Sequence, residues 1–191
     1  MSDTLYRVAR VVGSPFAYRC TGLEHIREGS PALYVANHLG PVGPMQALLA
    51  IPVRLYPWIL AETVDPRRSG QRIYKDLVRP VWGLEGRLGL TVAHLLAWPA
   101  VRFLRGLECI EVERDRGSPV GAFRRSLAIL SLGKSLLIFP EDEQGLLDPE
   151  TGMRPFLCGF LLLCPLYERQ VGQPLPIYPV AVSRERREVS I

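Results

Sequence analysis

The chain has 191 residues, 48% of them hydrophobic, which suits one domain with a substantial core and excludes a disordered polypeptide. Its 23 basic residues outnumber 19 acidic ones for a formal charge of +4, and all but Lys75 and Lys134 are arginines, whose planar fork pairs with phosphates and carboxylates. Cys20, Cys109, Cys158 and Cys164 lack Cys-x-x-Cys spacing, so reduced core cysteines in a cytosolic setting are expected rather than a zinc site or a disulfide framework.

Residues 4–20 place Leu5, Val8, Val12 and Phe16 roughly on one face, with a break near Gly13 and Pro15. That pattern predicts a short amphipathic helix, packed on its own domain or lying on a membrane. The start lacks the basic-then-apolar order of a secretion signal. Residues 31–36 read as a strand bounded by Gly29-Ser30-Pro31 and Gly40-Pro41, and 42–51 as a helix. Residues 53–61 read as a strand that Pro57 assigns to a sheet edge or a bulge. Between Pro66 and Arg87, six cations (Arg67, Arg68, Arg72, Lys75, Arg79 and Arg87) stand against Asp76 and Glu85. Such a stretch is either a solvated loop and helix face or a patch for anionic head groups or phosphates.

Residues 88–104 are mostly apolar but include His94, Pro99 and Arg102. No segment reaches the roughly 18 unbroken apolar residues of a spanning helix, so this one reads as buried or interfacial. Residues 107–113 alternate apolar and acidic, the pattern of a half-exposed strand. Residues 119–132 carry Val120, Phe123, Leu127 and Leu130 at helical spacing, with Pro119 and Gly133 as start and stop signals. A continuous apolar strand follows at 135–139, an apolar helix at 156–168 and a strand at 175–182. Arg187 to Ile191 looks like the beginning of a further strand, so the C-terminal edge is either truncated or short. Alternating strands and helices predict a single α/β domain with a mixed, mostly parallel central sheet covered by helices. The expected division is an N-terminal amphipathic helix at 1–20 and the domain proper at 21–191.

His38 follows the strand 31–36, where it is held yet reachable, and imidazole is the default general base near neutral pH. Asn37 can fix the turn through a neighbouring backbone group. Arg114 closes the strand 107–113 and reaches the same sheet edge if the strands are parallel, as a phosphate clamp or as a surface ion pair with Glu113 or Asp115. Phe139-Pro140-Glu141 forms a rigid exit that aims a carboxylate at a defined spot. Asp142 and Glu143 beside it call for solvent or a cation such as arginine. His25 and His94 read as structural, and three scattered histidines do not make a metal site. The basic balance lacks the interleaved aromatics of a nucleic-acid binder.

Four blocks in order, Asn37-His38, Glu113-Arg114, Phe139-Pro140-Glu141 and Pro176-Ile-Tyr-Pro179-Val-Ala-Val182, resemble the motifs of the glycerolipid acyltransferases of the lysophosphatidate (1-acylglycerol-3-phosphate) type. The segments Gly22 to Pro31 and Gly152 to Gly159 also look like that family's flanking sequence, so the resemblance runs over roughly residues 5–191. It implies a glycerol-3-phosphate acyltransferase-like fold. It implies acyl transfer to the hydroxyl of a lysophospholipid or related glycerolipid, with acyl-CoA or acyl carrier protein as co-substrate. His38 would deprotonate the acceptor, Arg114 would hold its phosphate, and Asn37, Phe139, Pro140 and Glu141 would help to place it. No metal, bound cofactor or nucleic acid is implied, and the setting would be cytoplasmic, peripheral to the inner face of a membrane.

Three departures accompany the resemblance. Where the family has aspartate, after four residues beyond the histidine, this chain has Gly43; Leu39-Gly40 replaces the serine that usually follows the histidine; and Asp142, Glu143 and Gln144 replace Gly-Thr-Arg after Glu141. The missing aspartate would orient the imidazole, and loss of the analogous acid from a serine-protease triad costs about 10⁴ in rate. A distant carboxylate such as Glu62, Asp142 or Glu143 then orients His38, or the domain keeps the fold and binds lipid or acyl chains without turnover.

Overall fold

Short apolar runs with residues facing alternately up and down need cover on both sides, and the chain supplies it with helices. A computed structural model describes residues 2–113 and 120–191. Its strands are β1 (Arg19–Thr21), β2 (Leu33–Ala36), β3 (Leu55–Leu60), β4 (Ile110–Val112), β5 (Ser135–Ile138), β6 (Ile177–Ser183) and β7 (Glu188–Ser190). They form one sheet in the order β1-β7-β6-β2-β5-β3-β4. The five from β6 to β4 are mutually parallel; β7 runs against β6, and β1 pairs with β7 in parallel. The sheet is thus mixed and mostly parallel, as the alternation of elements predicts.

Around it lie α1 (Ser2–Gly13), α2 (Val42–Ala50), α3 (Ala61–Val64), α4 (Ser69–Ile73), a π-helical turn at Tyr74–Val78, α5 (Arg79–Trp82), α6 (Gly86–Gly106), α7 (Val120–Ser131) and α8 (Leu163–Val171). One face of the sheet buries Leu33, Val35, Tyr56, Leu136 and Ile138 against Leu130 of α7 and Leu163 and Tyr167 of α8. The other buries Tyr34, Ala36, Leu55, Leu137 and Val180 against Ala47 of α2 and Ile51. Neighbouring residues of β2 and β5 point to opposite clusters, the period of two that a strand imposes. Burying a large aliphatic side chain is worth about 1.5–3 kcal/mol, so these strands supply a large share of the core's driving force, with the helices that cover them supplying the rest.

Several expectations are corrected. β3 is an interior strand: its first half, Leu55–Pro57, pairs with β5, and only from Trp58 onward does it pair with β4. Pro57 therefore sits in a stretch laddered on one side, where a missing N–H is tolerated. Pro179 follows the same rule, because β6 pairs with β2 through Ile177–Val180 and with β7 from Ala181. The apolar helix expected at 156–168 is a 3₁₀ turn at Cys158–Leu162 followed by α8, which extends to Val171. The basic stretch is, as one of its two readings has it, a solvated loop and helix face, with Arg67, Arg68, Lys75, Arg79 and Arg87 exposed, and within it Arg68, Arg72 and Arg79 pair with acids. Of the two settings open to the apolar face of α1, the outward one is found for Val8 and Val12, with Phe16 exposed in the turn that follows, while Tyr6 docks the helix through its hydroxyl, which donates to Leu48 O and Val53 O.

In α6 the buried stripe is Gly89, Ala93, Ala97 and Val101, small residues at four-residue spacing that let the helix approach its neighbours closely. Its large residues Leu88, Leu95 and Trp98 face outward.

Candidate functional site

β2 and β5 are parallel neighbours with Val35 opposite Ile138, so the residues that follow them leave the same edge of the sheet. In chain order β2 leads across to β3 on one side of β5, and β5 leads back to β6 on the far side of β2. A reversal of that kind opens a crevice beyond the carboxyl ends of the strands. Asn37, His38, Phe139, Pro140 and Glu141 meet there.

The exit of β2 is fastened on both flanks. Asn37 Nδ2 donates to Val182 O at 3.1 Å, and Asn37 Oδ1 accepts the Val182 N–H at 2.7 Å, which ties it to β6. On the other flank, Glu141 Oε1 accepts the His38 N–H at 2.5 Å, and Glu141 Oε2 accepts the Arg154 N–H at 3.2 Å. Glu141 is 7% exposed, and no other charged side chain is buried among the described residues. A buried carboxylate persists when its oxygens are satisfied, and here two backbone donors satisfy it. The segment around Arg154 is held further by the bridge between Glu141 and Phe156, and Leu157 N–H donates to Pro140 O at 2.8 Å.

The His38 ring meets Phe139 edge to face, with centroids 5.4 Å apart. The residue is reachable from solvent, yet its surroundings remove enough water that desolvation draws the imidazole pKa below its ordinary value; the charges of Glu143, Glu141 and Asp76 pull it up, and that of Arg72 pulls it down. Desolvation wins, so the neutral ring is favoured.

Arg72 organises the acids beside it. It pairs with Glu62 at 2.9 Å, with Asp76 at 2.5 Å and with Glu143 through a further contact. Desolvation lowers the Arg72 pKa, but the bond to Glu143 and the charges of Asp76, Glu143 and Glu62 outweigh it, leaving the group raised. Asp76 lies above its ordinary value, because desolvation raises it more than Arg72 lowers it. The acids named as orienters of His38 are committed elsewhere: Glu62 and Glu143 to Arg72, and Asp142 to the Gln144 N–H at 3.0 Å. Among the described residues no hydrogen bond reaches either nitrogen of the His38 ring.

Gly43 is buried in the first turn of α2, against the same loop. A Cβ there would stand 3.2 Å from Asn37 O and 3.7 Å from the His38 carbonyl carbon. The position at which the resembling family carries aspartate thus lies directly under the histidine's backbone.

Asn37 fixes the turn through a backbone group, as its place after β2 predicts, and both carboxylate oxygens of Glu141 take backbone N–H groups, so the two side chains clamp the His38 loop. Arg114 lies outside the described residues; Val112, at the end of β4, belongs to the same parallel set as β2. Reading the sequence missed Arg72, Asp76 and Arg154. The four-residue spacing of Arg72 and Asp76 was the available signal, since it stacks opposite charges on one helix face. No group of three metal-ligating side chains occurs among the described residues. No family model, curated protein or solved structure matches this chain.

Proposed function

We propose that the protein is an acyltransferase, moving a fatty acyl chain from acyl-CoA or acyl carrier protein to the hydroxyl of a lysophospholipid or related glycerolipid. His38 takes the hydroxyl proton while the oxygen attacks the thioester carbonyl. The C–S bond then breaks, and the imidazolium returns the proton to the leaving thiolate. The single observation that carries the reading is the convergence of β2 and β5, which sets a largely neutral imidazole at the crevice beyond the strand ends. Asn37 and Glu141 position the ring through its backbone. Glu143 and Asp76 favour the imidazolium when it forms, at longer range than a direct hydrogen bond. Arg114 is proposed to hold the acceptor's phosphate.

The same proposal puts the protein on a membrane surface, peripherally and from the cytoplasmic side. Val8, Val11, Val12 and Phe16 are exposed on and just after α1, and Leu88, Leu95 and Trp98 on α6, which packs beside α1. Arg102 stacks over Trp98 at 5.8 Å, an arrangement suited to a head-group boundary. No helix among the described residues is long and apolar enough to cross a membrane.

A second reading, a lipid- or acyl-binding protein without turnover, is favoured by Gly43 and by the absence, among the described residues, of an acid hydrogen-bonded to the His38 ring. The test is transfer of labelled acyl chain from acyl-CoA to a panel of lysolipids. Labelled product from wild type and none from His38→Ala supports the enzyme; saturable acyl-CoA binding with no product for any acceptor supports the binder.

A further inference from the structure

The loop between β5 and the 3₁₀ turn at Cys158–Leu162 carries two apolar side chains that nothing among the described residues covers. Leu146 is 89% exposed, the most of any large hydrophobic side chain described, and its neighbour Leu147 is 58% exposed.

A loose loop does not account for them. The stems are paired, with the Asp142 N–H donating to Pro155 O and the Leu157 N–H to Pro140 O, each at 2.8 Å. Across the middle, the Asp148 N–H donates to Met153 O and the Gly152 N–H to Asp148 O, each at 2.9 Å. Asp148 Oδ1 also accepts the N–H groups of Glu150 and Thr151 and the Thr151 hydroxyl. The Arg154 guanidinium donates to Glu143 O and Gly145 O. The loop thus holds Leu146 and Leu147 outward as a fixed tip.

The tip is tied to the site and to the proposed membrane face. Glu141, at the root of the loop, accepts the His38 N–H, and Glu143 pairs with Arg72 of α4. In turn α4 packs on α6, whose Leu88, Leu95 and Trp98 face outward. Tip, crevice and helix face are therefore joined through Arg72.

We propose that Leu146 and Leu147 insert into a lipid surface, so that the bilayer meets the His38 crevice at the edge where β2 and β5 end. What the crevice does there rests on the acyltransferase reading; the insertion needs no turnover. Area decides the occupant. Two leucines offer on the order of 200 Å² of apolar surface. That is far below the roughly 800 Å² per partner of a stable protein interface. A bilayer takes up apolar side chains in proportion to their area, however few. Two acids of the loop do not oppose entry, since Glu143 is paired with Arg72 and Asp148 is held by its own donors.

The experiment is sedimentation of the full chain with vesicles of phosphatidylcholine and phosphatidylglycerol in equal parts, for wild type, Leu146→Ser with Leu147→Ser, and Leu146→Trp. The double variant should bind about tenfold more weakly, by the same factor at low and high salt, because leucine carries no charge. Its Tm should stay near wild type, both side chains being exposed. Leu146→Trp should bind at least as tightly as wild type, and the fluorescence it adds should shift to the blue on vesicles, as tryptophan favours the interface. Undiminished binding by the double variant would overturn the proposal, as would added emission that vesicles leave unmoved. A wild-type dimer that the double variant dissolves, with vesicle binding intact, would give the tip to a second copy of the chain. Transfer is scored apart. With a lysolipid short enough to stay monomeric the double variant should match wild type, and with the lysolipid in vesicles it should be about tenfold slower. Equal slowing in both presentations would overturn insertion as the cause. Product from neither protein would refute acyl transfer, and the vesicle arm would still decide insertion.

Discussion

Replacing Glu141 by glutamine removes one charge and one acceptor while keeping the shape. The carboxylate now receives two backbone N–H groups, from His38 and Arg154, in a site that is 7% exposed. Glutamine can accept one of them as a neutral bond, at a loss of about 1 kcal/mol. Its NH₂ must face the other N–H, and that buried donor goes unsatisfied at a cost of about 2 kcal/mol. The sum is about 3 kcal/mol, which for a chain of this size lowers the Tm by about 6–12 °C. Thermal and urea unfolding followed by circular dichroism measure it, with exposed Glu150→Gln as a control expected to stay within about 0.5 kcal/mol of wild type. If Glu141→Gln unfolds within about 2 °C of wild type, the carboxylate does not clamp the loop, and the account of how His38 is positioned fails.

The pH dependence of transfer follows from the lowered His38 pKa. A base works only when neutral, so kcat/KM should rise with pH and level off after a midpoint below the ordinary 6.5; a midpoint above 7.5 contradicts the assignment. Arg72→Met removes the charge that lowers the His38 pKa, so the imidazole should titrate at higher pH by NMR, and a lower or equal value refutes the coupling. Gly43→Asp should increase the transfer rate if the loop yields the few tenths of an ångström that a Cβ 3.2 Å from Asn37 O requires; equal turnover in wild type, Gly43→Asp and His38→Ala would remove His38 from the chemistry. Trp98→Ser with Leu95→Ser should reduce sedimentation with anionic vesicles about tenfold or more while leaving the Tm near wild type, because both side chains are over 70% exposed; undiminished binding would move the membrane face elsewhere.

The central strands were legible because residues buried on both faces leave continuous apolar runs, as in Ser135–Ile138, and because glycine and proline punctuate them. The role of Pro57 was not. Its exclusion from interior strands assumes laddering on both sides at the same residue, and the stagger of β4 against β3 that spares it is a tertiary fact. β1 and the helices from α3 to α5 escaped for a related reason. Each is three to five residues long and too short to carry a period, and α4 is held by packing so close that a Cβ on Gly70 would stand 2.6 Å from the His94 ring. The outward apolar face of α1 shows the limit of amphipathicity as a guide, because the pattern marks a face without saying what covers it.

In the site, the convergence of His38 with Phe139-Pro140-Glu141 was legible from two strands with polar residues at their ends. The use of Glu141 was not, because sequence does not tell a carboxylate aimed at a substrate from one that accepts the backbone N–H of the residue beside it. The Arg72 cluster lay in a stretch whose surplus of charge concealed which cation was bound to which acid.

The most direct measurement is the initial rate of free thiol release from acyl-CoA in the presence of lysophosphatidate, wild type beside His38→Ala. The account predicts release that depends on the acceptor and falls at least a hundredfold in the variant, within the range that a general base contributes. Equal release by the two proteins, or release indifferent to the lysolipid, would contradict it.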